Sequence, residues 1–502
     1  MRKFKVILVV LLIFSCNDSE QSKKEKVAYN KFNKLTKFVD IYANDIIKKG
    51  NVNSLAVAIY KDGRIYQNYY GEIDKGTSNK PNDNSLFEIA SITKTFTGSL
   101  VAKAVLEGKI SLDDDIRKYL EGEYLNLEFE GQPITIKCLL THSMGLKNKL
   151  TKGFEDIRNK VTNGSYDFRT DFYDIDDLLE ELKTVEVNEK PGTVYAYNSL
   201  GSELLAHILE KVHEKPFKEQ MNVFFRELGM YNTYLNKSQE YKGRLVNGYK
   251  GDELAPLDFD PVYGAAGGAI STLPDLAIYM KYLVDNKNEP WVKESSRLLF
   301  EDKEEDEQVG YLWQNIGFAQ EEGYYYSKTG TSNRVQSGVL ICPDSNYGII
   351  VMANNTSEKA QNDWLTLFFS DIEPDVIKYP RLNLFSVLKS EFPNDLKTFY
   401  AEFNKRRKDT LNYFLKEVTL NNFGYELLNK GFKKEAINVF NVYTEVFPNN
   451  ANAYDSLGEA FFIVEDYKKA LINFKKALEL NPEMETSKDY IKKIKDIIKQ
   501  QS

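Results

Sequence analysis

Ser91 and Lys94 stand three residues apart in the run Phe87-Glu88-Ile89-Ala90-Ser91-Ile92-Thr93-Lys94. That spacing puts both side chains on one face of a helix start, one turn apart. A serine hydroxyl is a poor nucleophile at its own pKa, and a lysine kept neutral by burial or by another cation could accept or relay its proton. A second proton carrier and a cation near such a serine could assist acyl transfer. Both follow in order. Tyr197 and Ser199 lie in the stretch from Pro191 to Gly201, ahead of an apolar helical run from Leu204 to Val212, and Lys328-Thr329-Gly330-Thr331 follows a strand-like run of tyrosines. Lys328 can supply positive charge there, and Gly330 lets a substrate approach the backbone.

The order of the set carries more weight than any one member. The same Ser-x-x-Lys spacing recurs without companions at Ser386-Val387-Leu388-Lys389, and the chain has 32 tyrosines. Competing chemistries lack their residues. His142, His207 and His213 are the only histidines, and they form neither a His-Glu-x-x-His pair nor a Cys/His metal pattern, so no metal or other cofactor is expected. No Gly-x-Ser-x-Gly elbow is present. His142 reads as a hydrogen-bonding turn residue, and the glycines from Gly264 to Gly268 read as a tight packing loop behind the site.

Elements must bring these distant points together. Lys31 to Lys49 has helical spacing, and two strand-like runs, Leu55 to Tyr60 and Ile65 to Tyr70, flank Asp62-Gly63, a pair suited to a tight hairpin. A mostly helical stretch follows from Asn84 to Val284. Strand character returns over Tyr324 to Ser327, Val335 to Cys342 and Tyr347 to Met352, before a helix from Ser357 to about Phe369. Strands at both ends with helices between predict an α/β (α+β) fold, one antiparallel sheet closed by both termini, flanked by helices and carrying a helical insert.

The blocks around Ser91, Ile134 to Leu146, Pro191 to Leu205, Gly264 to Leu276 and Ser327 to Asn355 resemble the serine β-lactamase family, in its class C and D-alanyl-D-alanine carboxypeptidase-like branch of penicillin-binding type. The resemblance covers about Lys31 to Phe369. It implies Ser91 as acylated nucleophile, Lys94 and Tyr197 as proton carriers, and Lys328 as electrostatic partner of Tyr197 and of a substrate carboxylate. It also implies an oxyanion hole from the backbone N–H groups of Ser91 and Thr331, where one donor is typically worth ~3 kcal/mol of transition-state stabilisation. The chain departs from the family at Ser199, where an asparagine is usual. A hydroxyl there could donate to Lys94 or to substrate but cannot offer an amide's two groups together.

The ends carry separate signals. Arg2, Lys3 and Lys5 precede an apolar run, Val6 to Phe14, too short to span a bilayer and typical of an export signal over residues 1–15. Ser15-Cys16 resembles the cleavage and acylation site of bacterial lipoproteins, which makes Cys16 the expected lipid anchor, residues 16–30 a tether, and the cell envelope the expected location. Whether Cys138 and Cys342 pair is left open. Residues 31–371 form the expected hydrolase domain and 372–416 a connector. Over 417–502 a 34-residue offset maps Gly424 onto Gly458, Ala436 onto Ala470, Phe440 onto Phe474 and Pro448 onto Pro482. This is similar to tetratricopeptide repeats, with a last helix from Lys488 to Gln500 as cap.

At 502 residues the chain supports more than one core, and its net charge of -8 argues against nucleic acid as a partner. The expected partners are a small-molecule or peptide substrate, a protein or peptide at the repeats, and a membrane through the lipid. Two functions fit. One is an exported serine hydrolase of β-lactams, D-amino-acid peptides or esters. The other is a penicillin-binding-like sensor without turnover that recruits a protein through its repeats.

Overall fold

The computed structural model describes residues 31–148, 150–167, 170–235, 241, 243–257 and 262–501. The expected signal segment, Cys16 and the tether lie outside them. The chain divides into two compact units, Val39–Ile377 and Lys378–Ser502, the latter joined by the described residues up to Phe38.

The first unit is built on a six-stranded antiparallel sheet. Its strands are β1 (Ser54–Lys61), β2 (Arg64–Gly71), β3 (Gln314–Ala319), β4 (Gly323–Thr331), β5 (Gln336–Cys342) and β6 (Tyr347–Ala353), in the order β3-β4-β5-β6-β1-β2. β1 pairs with β6 from Leu55↔Ala353 to Lys61↔Tyr347, so strands from both ends of the unit's sequence close one sheet. Asp62 and Gly63 turn the β1–β2 hairpin with φ of 48° and 81°, the left-handed pair such a turn requires. β1, β5 and β6 are buried along their whole length, which is why they read as continuous apolar runs rather than alternating ones.

Helices cover both faces. Leu273–Asp285 packs across β1, β5 and β6. On the opposite face, the Trp364 indole donates to the Val351 carbonyl at 3.1 Å. A Cβ on Gly338 would meet the Trp364 ring at 2.7 Å, so the helix Glu358–Leu365 seats directly on bare backbone. Between β2 and β3 runs the helical layer, including α1 (Thr93–Leu106) and α2 (Leu200–His213). α1 is buried on nearly every side, and its interior hydroxyls are satisfied either locally, as with Ser99 onto the Thr95 carbonyl at 2.8 Å, or by the neighbouring loop, as with Thr97 onto the Ala265 carbonyl at 3.0 Å. Cys138 and Cys342 are both buried and both free.

The second unit is helical. Residues 372–416, read from sequence as a connector, contain the helices Leu384–Glu391 and Leu396–Arg406. Phe385, Phe399 and Phe403 from these helices pack against Phe423 with ring centroids 4.8–5.7 Å apart. Abundant charge in this stretch masks the stripe, because Lys and Glu occupy the outer face of each helix. Two helix pairs follow, Glu417–Asn429 with Lys433–Val446 and Ala451–Ile463 with Tyr467–Leu480. A Cβ on Gly424 would lie 2.4 Å from the Phe440 ring, and one on Gly458 2.8 Å from Phe474, so the 34-residue repetition marks the same close helix crossing twice. Ser386 and Lys389, the accidental Ser-x-x-Lys pair, belong to this unit and not to the one that holds Ser91. Among the described residues, no helix is long and apolar enough to cross a membrane.

Candidate active site

Ser91 sits in a single 3-10 turn, Ala90–Ile92, that runs straight into α1. Ala90 before it has φ of 47°, a left-handed conformation costly for a residue with a Cβ and typical of sharply presented nucleophiles. Lys94, 1% exposed, extends back so that its Nζ lies 3.4 Å from the Ser91 Oγ and 2.7 Å from the Ala266 carbonyl. That carbonyl belongs to the glycine-rich loop, where Gly264 and Gly268 touch backbone to backbone.

Tyr197 lies at the entry to α2, with its hydroxyl 2.8 Å from the Ser91 Oγ and 3.3 Å from the Lys328 Nζ. Lys328, fully buried on β4, also donates to the Gln314 Oε1 at 2.5 Å. Four side chains from three distant parts of the sequence therefore meet in one cluster. The two ammonium groups flank the Tyr197 ring, at 5.1 Å and 4.6 Å from its centroid. Burial alone works to raise the phenol, but Lys328 first, then Lys94 and the Ser91 hydrogen bond, outweigh it and hold Tyr197 at about 7. Burial pulls the Lys328 ammonium down, with Tyr197 opposing and Lys94 reinforcing.

Strand register opens the site. β3 pairs with β4 only as far as Gln314↔Ser327, which leaves Lys328 to Thr331 with no β3 partner on that edge. A Cβ on Gly330 would fall 2.8 Å from each of the Ser91 nitrogen, the Ile89 carbonyl and the Ser337 Oγ, so only glycine lets β4 run this close to the nucleophile. Thr329 is half-buried and Thr331 exposed, the latter with its hydroxyl on the Gln336 Oε1 at 2.8 Å.

From sequence, Ser199 is expected to donate to Lys94 or to substrate. Its Oγ accepts from the Arg158 guanidinium at 3.4 Å, and no bond to Lys94 is present. Asn198 turns away as well, accepting from the Gly201 N–H at 3.0 Å and donating to the Ala196 carbonyl at 2.9 Å. The first turn of α2 has free N–H groups, and the Asn198 amide satisfies one of them, which draws it from the cleft. His142 packs on Tyr197 with ring centroids 4.4 Å apart, and its carbonyl accepts from the Ala196 N–H at 2.7 Å. Burial, then Lys328 and Lys94, hold its imidazole neutral, far below its ordinary range. It therefore braces the tyrosine loop.

Gln314 and the Ala266 carbonyl were not legible in the sequence. Gln314 stands fourteen residues before Lys328 in no motif, and a carbonyl has no residue signature. Among the described residues no cluster of His, Cys, Asp and Glu could hold a metal ion.

The sheet and the helical layer are those of the penicillin-binding and serine β-lactamase fold. The Beta-lactamase family model matches residues 35–368, and the chain belongs to that family. Among similar proteins, protein flp of Staphylococcus aureus is 25% identical over 330 residues, covering 64% of this chain and 63% of that protein, so the chain spans less than two thirds of that relative. A beta-lactamase of Providencia stuartii is 24% identical over 352 residues, covering 63% of this chain and 86% of that protein. The fold is shared with the octameric penicillin-binding protein homologue from Pyrococcus abyssi, at TM-score 0.55 and 24% identity over 67% of this chain and 76% of that one. It is shared too with a beta-lactamase/D-alanine carboxypeptidase from Yersinia pestis, at TM-score 0.54 and 22% identity over 66% and 97%.

Proposed function

We propose that this chain is an exported serine hydrolase that works through an acyl-Ser91 intermediate on β-lactam, D-amino-acid peptide or ester substrates. The observation that carries the reading is the Tyr197 hydroxyl held between the Ser91 Oγ and the Lys328 Nζ, at 2.8 Å and 3.3 Å. With its phenol at about 7, Tyr197 is half ionised near neutrality, where a general base works best. As Ser91 Oγ bonds to the substrate carbonyl carbon, its proton passes to Tyr197. The oxyanion is held by the backbone N–H groups of Ser91 and Thr331. Collapse of the adduct breaks the bond to the leaving group, which takes the proton from Tyr197. Water then repeats the sequence on the acyl-enzyme, giving its proton to Tyr197, and Ser91 leaves with that proton restored.

The free edge of β4 favours an extended substrate that hydrogen-bonds beside it, with Lys328 drawing a carboxylate. The test is intact-mass analysis after exposure to penicillins and activated esters, followed by a turnover screen that includes a D-Ala-D-Ala peptide. Ser91→Ala must lose the adduct; equal labelling of both proteins rejects the reading.

The leader and Cys16 support export and a lipid anchor in the cell envelope, and Cys16→Ser protein that keeps its membrane association would count against this. Recurrence of Gly and Phe at helix crossings supports a tetratricopeptide-type second unit that holds a protein or peptide partner. A second reading, a penicillin-binding-like sensor without turnover, draws on Ser199, which leaves Lys94 without the usual amide. Stable acylation without product release supports the sensor, and rapid multiple turnover excludes it.

A further inference from the structure

Glu203 lies on α2, six residues after Tyr197, and is fully buried. The mechanism above does not use it, and although it falls inside the Pro191 to Leu205 block, the sequence assigned it no role. Its Oε2 accepts from the Tyr263 N–H at 2.8 Å and its Oε1 from the Ala266 N–H at 2.9 Å. Ala266 is the residue whose carbonyl receives the Lys94 ammonium at 2.7 Å. One residue thus has its nitrogen fixed by a carboxylate and its oxygen fixed by a group of the active site.

The same helix face holds the loop twice more. His207 and Glu210 follow Glu203 by four and seven residues, the spacing of one stripe on a helix. The Tyr263 hydroxyl donates to the Glu210 Oε2 at 2.7 Å and lies 3.3 Å from the His207 Nδ1. α1 grips from the other side, with the Thr97 hydroxyl on the Ala265 carbonyl at 3.0 Å and the Thr93 hydroxyl accepting from the Ala269 N–H at 3.2 Å. Of the three residues on the α2 stripe, only Glu203 bonds to Ala266.

We infer that Glu203 is a positioning residue for the proton-transfer machinery, clamping the 263–266 backbone so that the Ala266 carbonyl holds Lys94 between Ser91 and Tyr197. Charge-assisted bonds from two backbone N–H groups are roughly twice as strong as neutral ones, and a fully buried carboxylate needs such partners. The clamp acts on chemistry because Lys94 is one of the two cations that hold the phenol at about 7. When the Ala266 carbonyl drifts, Lys94 follows it, and Tyr197 loses part of its cationic flank. The consequence is a slower acylation step and a phenol that ionises at higher pH.

The inference rests on the hydrolase reading, and a fluorophosphonate that labels activated serines separates the two. The inactivation rate at saturation, the half-saturating concentration and the pH profile are measured by intact mass for the wild-type chain, Ser91→Ala, Glu203→Gln, Glu203→Asp and Glu210→Gln. A glutamine at 203 can accept with one oxygen only and turns an NH2 toward the other backbone N–H. Aspartate keeps the charge but draws it back by one carbon, and it supplies the second variant if the first does not fold. The expected result is a saturated rate lower by about tenfold or more, an unchanged half-saturating concentration and an acid limb moved to higher pH in the Glu203 variants. Glu210→Gln, which loosens the same loop without touching Ala266, should keep the wild-type limb. A folded Glu203 variant with the wild-type rate and limb overturns the inference and leaves the hydrolase standing. Failure of the wild-type chain to label at Ser91 overturns the hydrolase reading and the inference with it.

Discussion

The Tyr197 hydroxyl lies 2.8 Å from the Ser91 Oγ, close enough to take its proton with no intervening water. Tyr197→Phe keeps the ring, its packing on His142 and its place between two cations, and removes only the oxygen. Acylation of Ser91 should fall by about a hundredfold or more, the usual worth of a positioned general base. Stopped-flow or intact-mass labelling rates check this, with circular dichroism to show that the fold is retained.

The phenol at about 7 sets the sign of the pH dependence. The ionised form is the base, so kcat/KM should rise with pH below that value, about tenfold for each unit, and level off above it. A falling profile across the same range would assign the proton transfer to another group.

Lys328 is the larger of the two cationic influences on that phenol. Lys328→Ala removes it, so burial dominates and Tyr197 ionises at higher pH. The acid limb should move upward and the plateau rate should drop. Lys328→Arg, which keeps charge at a different reach from Gln314, should restore part of the shift, as read from the same pH series.

Gly330→Ala tests the close approach of β4. The added methyl would meet two backbone atoms and a buried hydroxyl at 2.8 Å, none of them the end of a flexible chain. Strand displacement should cost about 1–3 kcal/mol of stability and open the gap between Ser91 and the strand edge. Thermal unfolding and Ser91 labelling should both decline.

In the second unit, Phe440 fills the hollow above Gly424. Phe440→Ala should destabilise this unit by about 3–5 kcal/mol, whereas Gly424→Ala should destabilise it through overpacking instead. Denaturant titration followed by far-ultraviolet circular dichroism measures both.

Much of this was written in local residues. Ser91 and Lys94 lie one helical turn apart, so a spacing of three encodes their meeting without help from the rest of the chain. The hairpin at Asp62-Gly63 and the apolar runs of β5 and β6 are equally local, since turn chemistry and strand burial are properties of short segments. The helices over Leu384–Glu391 and Leu396–Arg406 escaped notice because their apolar stripe is interleaved with charge and makes sense only against Phe423. Ser199 was expected to donate to Lys94 or to substrate, but which way its hydroxyl turns depends on Arg158, forty-one residues earlier.

By itself the sequence determined which groups are present, their order and the short elements that bear them. Tertiary structure alone decided that Gln314 would hold Lys328, that the Ala266 carbonyl would hold Lys94, and that two cations would flank one phenol. The physical reason is that charge effects and hydrogen bonds act through a few ångströms of space, and only the closed sheet and the packed helices convert separations of fourteen to 172 residues into such distances.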